Sequence, residues 1–241
     1  MNGIAYMNKN KNWNEYIGSI WFNMLCEVSL NKVGTVIEIA PGNVSKIGRG
    51  LAQYNFKGTL YIVEPNYHSL GEIIEQYQEL LSEVTLIPVN KTLREAINLL
   101  PRNSDIVLSN HPLDDMIIGD ILTISEFDRF FTNHYNEFSI EEIRRTWEIF
   151  KERPELLKQS LRNILNDWKF LIKQITPRNI AISQYFSFFF KTHGLTDPDK
   201  YGIKLLEMIE KFSKKEGFNI SHPIDLSVND RNLWSLIRRV T

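Results

Sequence analysis

Short apolar runs alternate along this chain with stretches of helical periodicity. Thr35-Val-Ile-Glu-Ile39, Gly58 to Glu64, Val84 to Asn90, Ser104 to Asn110 and Arg178 to Phe186 are dense in Val, Ile and Leu, with little polar alternation. That pattern predicts strands of a parallel sheet covered on both faces. From Trp13 to Leu30, the residues Ile17, Ile20, Trp21, Met24, Leu25 and Val28 recur at helical spacing, so a helix precedes the first strand. Asn43 to Tyr54 reads as the helix after it. Tyr201 to Glu216 is an amphipathic helix stopped by Gly217, and Phe218 to Ser221 with Asn232 to Val240 reads as a closing hairpin.

One helix would suffice to connect the fourth and fifth strands, yet Leu113 to Thr176 holds three. Thr123-Ile-Ser-Glu126 and Ser139-Ile-Glu-Glu142 read as capping boxes, and Pro154 suits the first position of a helix continuing to Ile175. The surplus predicts a helical cap insertion over 113–176. Its Phe127, Phe130, Phe131, Tyr135, Trp147, Phe150 and Trp168 suffice to pack the cap and still line a pocket. Ser187-Phe-Phe-Phe-Lys191, after the fifth strand, would stack an acceptor ring or seal that cap. The expectation is one α/β domain over 1–241, a three-layer sandwich on a mostly parallel seven-stranded sheet, with a leading helical segment over 1–31. No heptad or longer repeat interrupts it.

At 241 residues and 43% hydrophobic, the chain can bury a full core. A formal net charge of −1 argues against a sequence-independent grip on nucleic acid, which needs many cations over phosphates. Arg144-Arg145 and Arg238-Arg239 read as solvated. Cys26 is the only cysteine, which excludes an intramolecular disulfide and a cysteine-ligated metal. The five histidines are scattered, and Asp114-Asp115 reads as a helix-start pair complementing the macrodipole, so no metal centre is expected. The start of the chain lacks the pattern of a secretory leader and no run of about 18 apolar residues occurs. These features point to a cytoplasmic protein without a membrane span.

The chemistry concentrates where the first strand ends. Thr35-Val-Ile-Glu-Ile-Ala-Pro-Gly-Asn43 runs from an apolar strand carrying Glu38 into a Pro41-Gly42 turn, where glycine lets a ligand approach the main chain. The next strand ends in Glu64, 22 residues past Gly42 (64 − 42), close to the spacing of roughly 20 at which dinucleotide folds place an acid on a ribose hydroxyl. Pro65-Asn66 after it also suits a helix start. Three rival glycine patterns fail. The P-loop lysine and hydroxyl pair is missing after Gly48, the G-x-G-x-x-G fingerprint is not met by Gly42 alone, and no G-x-S-x-G elbow occurs.

Glu38-Ile-Ala-Pro-Gly42, with Glu64 ending the next strand, resembles the cofactor-binding core of the class I, Rossmann-like S-adenosylmethionine-dependent methyltransferases. That family's first motif runs acid-x-Gly-x-Gly. Glu38 matches the acid, Gly42 the last glycine, and Ala40 stands in place of the first. The resemblance implies S-adenosylmethionine as cofactor, with Glu38 approaching its amino-acid end through the Ala40-Pro41-Gly42 turn and Glu64 holding the ribose hydroxyls. It further implies an adenine contact at Asn90, which also reads as a plain turn residue. The end of the fourth strand, Ser109-Asn110, would face cofactor and acceptor. Tyr16 and Trp21 on the leading helix would lie near the cofactor mouth, although an aromatic stripe at helical spacing is first of all core.

Asn110-His-Pro-Leu113 loosely resembles the Asn-Pro-Pro-aromatic motif of amino-group methyltransferases, with His111 replacing a proline and Leu113 the aromatic. In that reading the Asn110 amide oxygen would orient an amine, and His111 is the best-placed base if the acceptor keeps a proton. The implied activity is methyl transfer to an acceptor that is a small molecule rather than a nucleic acid. The alternatives are aminopropyl transfer on the same scaffold, N-methylation of nucleic acid or protein, and a non-catalytic binding or scaffold protein.

Overall fold

The computed structural model describes residues 10–123, 126–127, 137–222 and 234–240. Helix α1 (Asn10–Glu27) precedes strand β1 (Thr35–Ile39), and α2 (Lys46–Gln53), β2 (Thr59–Val63), α3 (Tyr67–Leu80) and β3 (Thr85–Val89) follow in alternation. A short α4 (Leu93–Ala96) leads to β4 (Ile106–Asn110). Helices α5 (Leu113–Gly119), α6 (Glu137–Glu152) and α7 (Pro154–Ile175) separate it from β5 (Asn179–Ser183). The chain closes with α8 (Phe188–Thr192), α9 (Asp197–Lys215), β6 (Phe218–Ser221) and β7 (Trp234–Arg239).

The seven strands form one sheet in the order β3-β2-β1-β4-β5-β7-β6. β1 to β5 are parallel, and β7 is antiparallel to both β5 and β6. Strand order reverses between β1 and β4. At such a switch point the connections leave on opposite faces and open a crevice beyond the strand ends. Pro88 is tolerated in β3 because β3 is an edge strand, where a missing ladder donor is least costly.

Successive β1 side chains enter opposite layers, as the pleat requires. Val36 joins a core with Ile47 of α2, Ile73 of α3 and Trp21 of α1. Ile37 and Ile39 join the other, with Ile117 of α5, Trp147 of α6, Trp168 of α7 and Leu205 of α9. The expected three layers on a mostly parallel seven-stranded sheet are therefore present.

Several boundaries differ from expectation. The first core helix begins at Lys46 rather than Asn43, because residues 43–45 complete the turn. β5 ends at Ser183, and Gln184 to Ser187 form an irregular loop before α8. α9 starts at Asp197, four residues before Tyr201, with Pro198 in its first turn. Thr123 and Glu126 make the reciprocal capping-box bonds, the Thr123 amide and hydroxyl donating to the Glu126 carboxylate and the Glu126 amide to the Thr123 hydroxyl. Ser139 lies inside α6, so the second box does not start that helix. The span 113–176 is not all surplus. α7 buries Leu161, Ile164, Trp168 and Ile172 in the same core as β4 and β5, as an ordinary crossover helix does. The additional helical material among the described residues is α5 and α6. Trp147 of α6 stacks on Tyr201 at 5.8 Å, and Phe127 lines the cleft described below. Phe130, Phe131 and Tyr135 lie outside the described residues.

Candidate functional site

A cleft of about 1130 Å³ opens over the carboxyl ends of β1, β2 and β4. Its floor is the turn after β1. Ala40 has φ 50° and Gly42 φ 65°, so the chain passes twice through the left-handed region within three residues. Gly42 does so freely. Ala40 carries a Cβ there, which costs about 1–2 kcal/mol, and the Ala40 amide holds it in place by donating to the Val63 carbonyl at 2.8 Å.

Two side chains clamp this turn. Glu64 reaches back from the end of β2, one carboxylate oxygen accepting from the Gly42 amide at 3.1 Å and the other from the Asn66 amide at 2.9 Å. Gln76 of α3 accepts from the Ser45 amide at 3.2 Å and donates to the Asn43 carbonyl at 2.7 Å. The motif glycine and the ribose-type acid thus meet at one corner of the cleft, and both line it. Burial pushes Glu64 up to about 7, against the opposing pull of its Asn66 and Gly42 hydrogen bonds. Asn90 lines the same corner, donating to the Glu64 and Pro65 carbonyls at 2.9 Å each and so shaping the loop after β2.

Glu38 sits elsewhere. It is buried beneath the turn, and the Tyr77 hydroxyl donates to it from 2.8 and 2.9 Å while accepting from the Gly48 amide at 3.2 Å. Burial lifts Glu38 to about 8, partly opposed by the Tyr77 hydrogen bond and reinforced by Glu64. Glu38 does not line the cleft; it ties β1 to α3 through the Tyr77 hydroxyl, which also holds the Gly48 amide of α2. Ser109 is likewise buried, its hydroxyl donating to the Ile39 carbonyl at 2.6 Å, which ties β4 to β1.

Asn110 and His111 do line the cleft, with their polar atoms engaged by the protein. The Asn110 amide oxygen accepts from the Trp21 indole at 3.0 Å and from the Ser183 hydroxyl at 3.2 Å. An indole nitrogen can only donate, so the amide orientation is fixed and its nitrogen faces Tyr185, donating to that hydroxyl at 3.2 Å. His111 has φ 56°, with its amide donating to the Ser183 carbonyl at 2.9 Å. Its Nε2 lies 2.5 Å from the Tyr185 carbonyl, which only accepts, so Nε2 carries a hydrogen. Nδ1 lies 3.3 Å from Oδ1 of Asp114. Both ring nitrogens are engaged inside the protein, and the imidazole braces the loop after β5.

Beneath that loop, Gln184 accepts from the Leu113 amide at 3.0 Å and donates to Asp114 at 2.7 Å. Asp199 accepts from the Ser187 amide at 3.0 Å, and burial raises it to about 7. Asp114 therefore does more than complement a helix dipole: it joins the ends of β4 and β5. Among the described residues no cluster of three or more His, Cys, Asp or Glu is arranged to hold a metal.

Sequence reasoning missed Tyr185 and Lys46. Tyr185 lies within the stretch read as strand, which hid its place on a loop. Its ring stacks on Trp234 at 5.8 Å, meets Trp13 edge-on at 5.7 Å, and its hydroxyl accepts from Lys46 at 3.1 Å. Trp13 and Asn14 are the α1 residues that line the cleft. Trp21 is core, packed on Trp234 at 5.3 Å, and Tyr16 is not among the lining residues.

No family model matches the sequence, and no curated protein matches it. Solved structures do match in fold. An rRNA methylase from Streptococcus thermophilus is 10% identical with a TM-score of 0.46, covering 98% of this chain and 99% of that one. The SAH-bound methyltransferase PaMTH1 from Podospora anserina is 9% identical with a TM-score of 0.49, covering 93% and 78%. A structure of the protein PH0851 is 11% identical with a TM-score of 0.51, covering 92% of this chain and 45% of the longer partner. With the strand order 3-2-1-4-5-7-6 and its antiparallel β7, the chain has the Rossmann-like fold of the class I S-adenosylmethionine-dependent methyltransferases.

Proposed function

We propose that the cleft binds S-adenosylmethionine and that the protein transfers its methyl group to a small-molecule acceptor. The observation that carries this reading is the corner where the Glu64 carboxylate meets the Gly42 amide at 3.1 Å, at the head of an open cleft. An added Cβ on Gly42 would meet nothing within 4 Å, so free space lies directly against the main chain where a ligand would rest. The residues fit an adenosyl ligand. Glu64 keeps lone pairs for ribose hydroxyls, Asn90 and Val63 border the neighbouring space, and Ala40 to Gly42 supply a close-approach floor. The cofactor, once bound, supplies a methyl group already activated by a sulfonium.

The chain's own residues then contribute position rather than proton transfer. With the Asn110 oxygen and both His111 nitrogens engaged by the protein, their roles are to set the wall formed by the β4 and β5 ends. Holding a nucleophile in line is enough to carry much of such a displacement. The same geometry speaks against the N-methylation reading, which requires the Asn110 oxygen for the substrate amine.

Six carboxyl groups line the cleft among the described residues, against the cations Lys46, Lys91 and Arg94. The cleft offers no excess of cations to neutralise a phosphate backbone, which supports a small acceptor over nucleic acid. Met116, Leu122, Phe127 and Phe190 give the far wall an apolar surface, and we assign the acceptor to that side. No helix of the described residues is long and apolar enough to cross a membrane. Calorimetric titration with S-adenosylmethionine and S-adenosylhomocysteine tests the reading. Binding in the micromolar range that is lost in Glu64→Ala supports it, whereas no heat from either ligand at high micromolar protein overturns it in favour of a scaffold.

A further inference from the structure

The stretch Tyr185 to Phe190 carries aromatic rings out of β5 and divides them between two environments. Phe190 is 3% exposed, in the core with Trp147, Trp168 and Leu195, so it packs the helical layer. Phe186 is 51% exposed and lines the cleft. Its neighbour Tyr185 packs on Trp13 and Trp234, whereas among the described residues no ring partner stands against Phe186.

The loop cannot easily rearrange to bury that ring, because its backbone is held on both sides of Phe186. The Tyr185 carbonyl accepts from His111 Nε2 at 2.5 Å, and the Ser187 amide donates to Asp199 at 3.0 Å. One residue earlier, Gln184 is fixed by the Leu113 amide and Asp114. Gln184, Asp114 and Asp199 are all buried, so moving the loop would strand polar groups away from water. A large apolar side chain left in water forgoes favourable burial. A buried polar frame that presents such a ring to an open cleft is a platform for a ligand.

Strand order sets what that ligand is. Glu64 follows β2, Gly42 follows β1, His111 follows β4 and Phe186 follows β5, and these four strands are neighbours in that order. A strand spacing of about 4.8 Å puts β2 and β5 roughly 14 Å apart. A cofactor seated against Glu64 and Gly42 therefore leaves the space over β4 and β5 to a second molecule. We propose that Phe186 is the stacking platform of the acceptor, and that the acceptor is a flat aromatic ring without negative charge. The inference rests on the adenosyl reading above and deepens it by naming the substrate class. The cleft offers no excess of cations to hold an anionic ring, and the negative face of a phenyl ring disfavours one.

The test loads the protein with S-adenosylhomocysteine, so that the cofactor space is filled, and then titrates three probes by calorimetry. They are 2-naphthol, its saturated counterpart decahydro-2-naphthol, and the anion 2-naphthoate. Wild type is expected to prefer 2-naphthol over the saturated ring by roughly fivefold, the worth of one aromatic pair, and to bind 2-naphthoate more weakly than 2-naphthol. Phe186→Leu, which keeps an apolar side chain, should erase that preference, and Phe186→Tyr should keep it. Affinity for S-adenosylhomocysteine should stay within about twofold in both variants, which also reports that they fold. Loaded wild type that binds no 2-naphthol, or binds the saturated ring equally well, overturns the platform and leaves the adenosyl reading standing. A preference that survives in Phe186→Leu, or 2-naphthoate bound more tightly than 2-naphthol, also overturns it. Failure of wild type to bind S-adenosylhomocysteine overturns the adenosyl reading and the platform together.

Discussion

The ring of Tyr77 fills the space that Gly48 leaves open: a Cβ on Gly48 would lie 2.2 Å from the Tyr77 Cε1 atom. That close approach lets the Tyr77 hydroxyl bridge the Gly48 amide and the buried Glu38 carboxylate. A glycine inside α2, unfavourable for the helix by itself, thus fixes α2 and α3 under the turn after β1. Gly48→Ala should displace the ring and destabilise the fold by about 2–3 kcal/mol, with a fall in Tm of roughly 5–10 °C. A thermal unfolding curve unchanged from wild type would contradict this packing.

Glu38 gives stability a pH dependence of definite sign. Its folded-state value of about 8 lies above the ordinary 4.5, so the folded protein holds this proton more tightly than the unfolded chain. The associated stability is complete below about 4.5 and is lost as pH rises through about 8. Glu64, raised to about 7, adds a decline of the same sign that ends earlier. Denaturant titrations should therefore show lower stability at pH 8.5 than at pH 6, with a flatter profile in Glu38→Gln. A wild-type profile rising over that interval would contradict the assignment.

For ligand binding, the Glu64 titration has the opposite consequence. Ribose hydroxyls donate, so the carboxylate form is the binding form. S-Adenosylhomocysteine affinity should fall by up to about tenfold per pH unit below pH 7 and level off above it. Glu64→Gln should bind more weakly and lose most of that dependence, as read by calorimetry between pH 5.5 and 8.5.

Ala40 sits at φ 50° where the family motif has glycine. Ala40→Gly relieves left-handed strain but adds freedom to the unfolded chain, so the expected net gain is modest, up to about 1 kcal/mol, or roughly 2–4 °C in Tm. A lower Tm would show that the Ala40 methyl contributes packing worth more than the strain.

The local pattern of the chain was enough to determine the strand runs, the leading helix, the helix after the first strand to within a few residues, the Pro41-Gly42 turn and the spacing that delivers Glu64. Those features depend on side-chain type over a few residues, through β-branched runs, caps and a glycine that tolerates positive φ. The placement of Glu64 beside Gly42 follows from them once β1 and β2 pair in register, as they do from Thr35 against Thr59 to Ile39 against Val63. What each remaining polar atom faces was decided by tertiary packing. Glu38 points into the α2 and α3 layer because it alternates with Ile37 and Ile39, and only the position of Tyr77 reveals its partner. Asn110 and His111 stand at the predicted strand end, yet their oxygen and nitrogens are taken by Trp21, Ser183, Tyr185 and Asp114, residues brought together by the crossovers. Lys46, after β1, and Tyr185, after β5, lie 139 positions apart and meet because β4 alone stands between those two strands in the sheet. Local periodicity encodes the elements, whereas a hydrogen bond between distant residues depends on where the closed chain puts both groups.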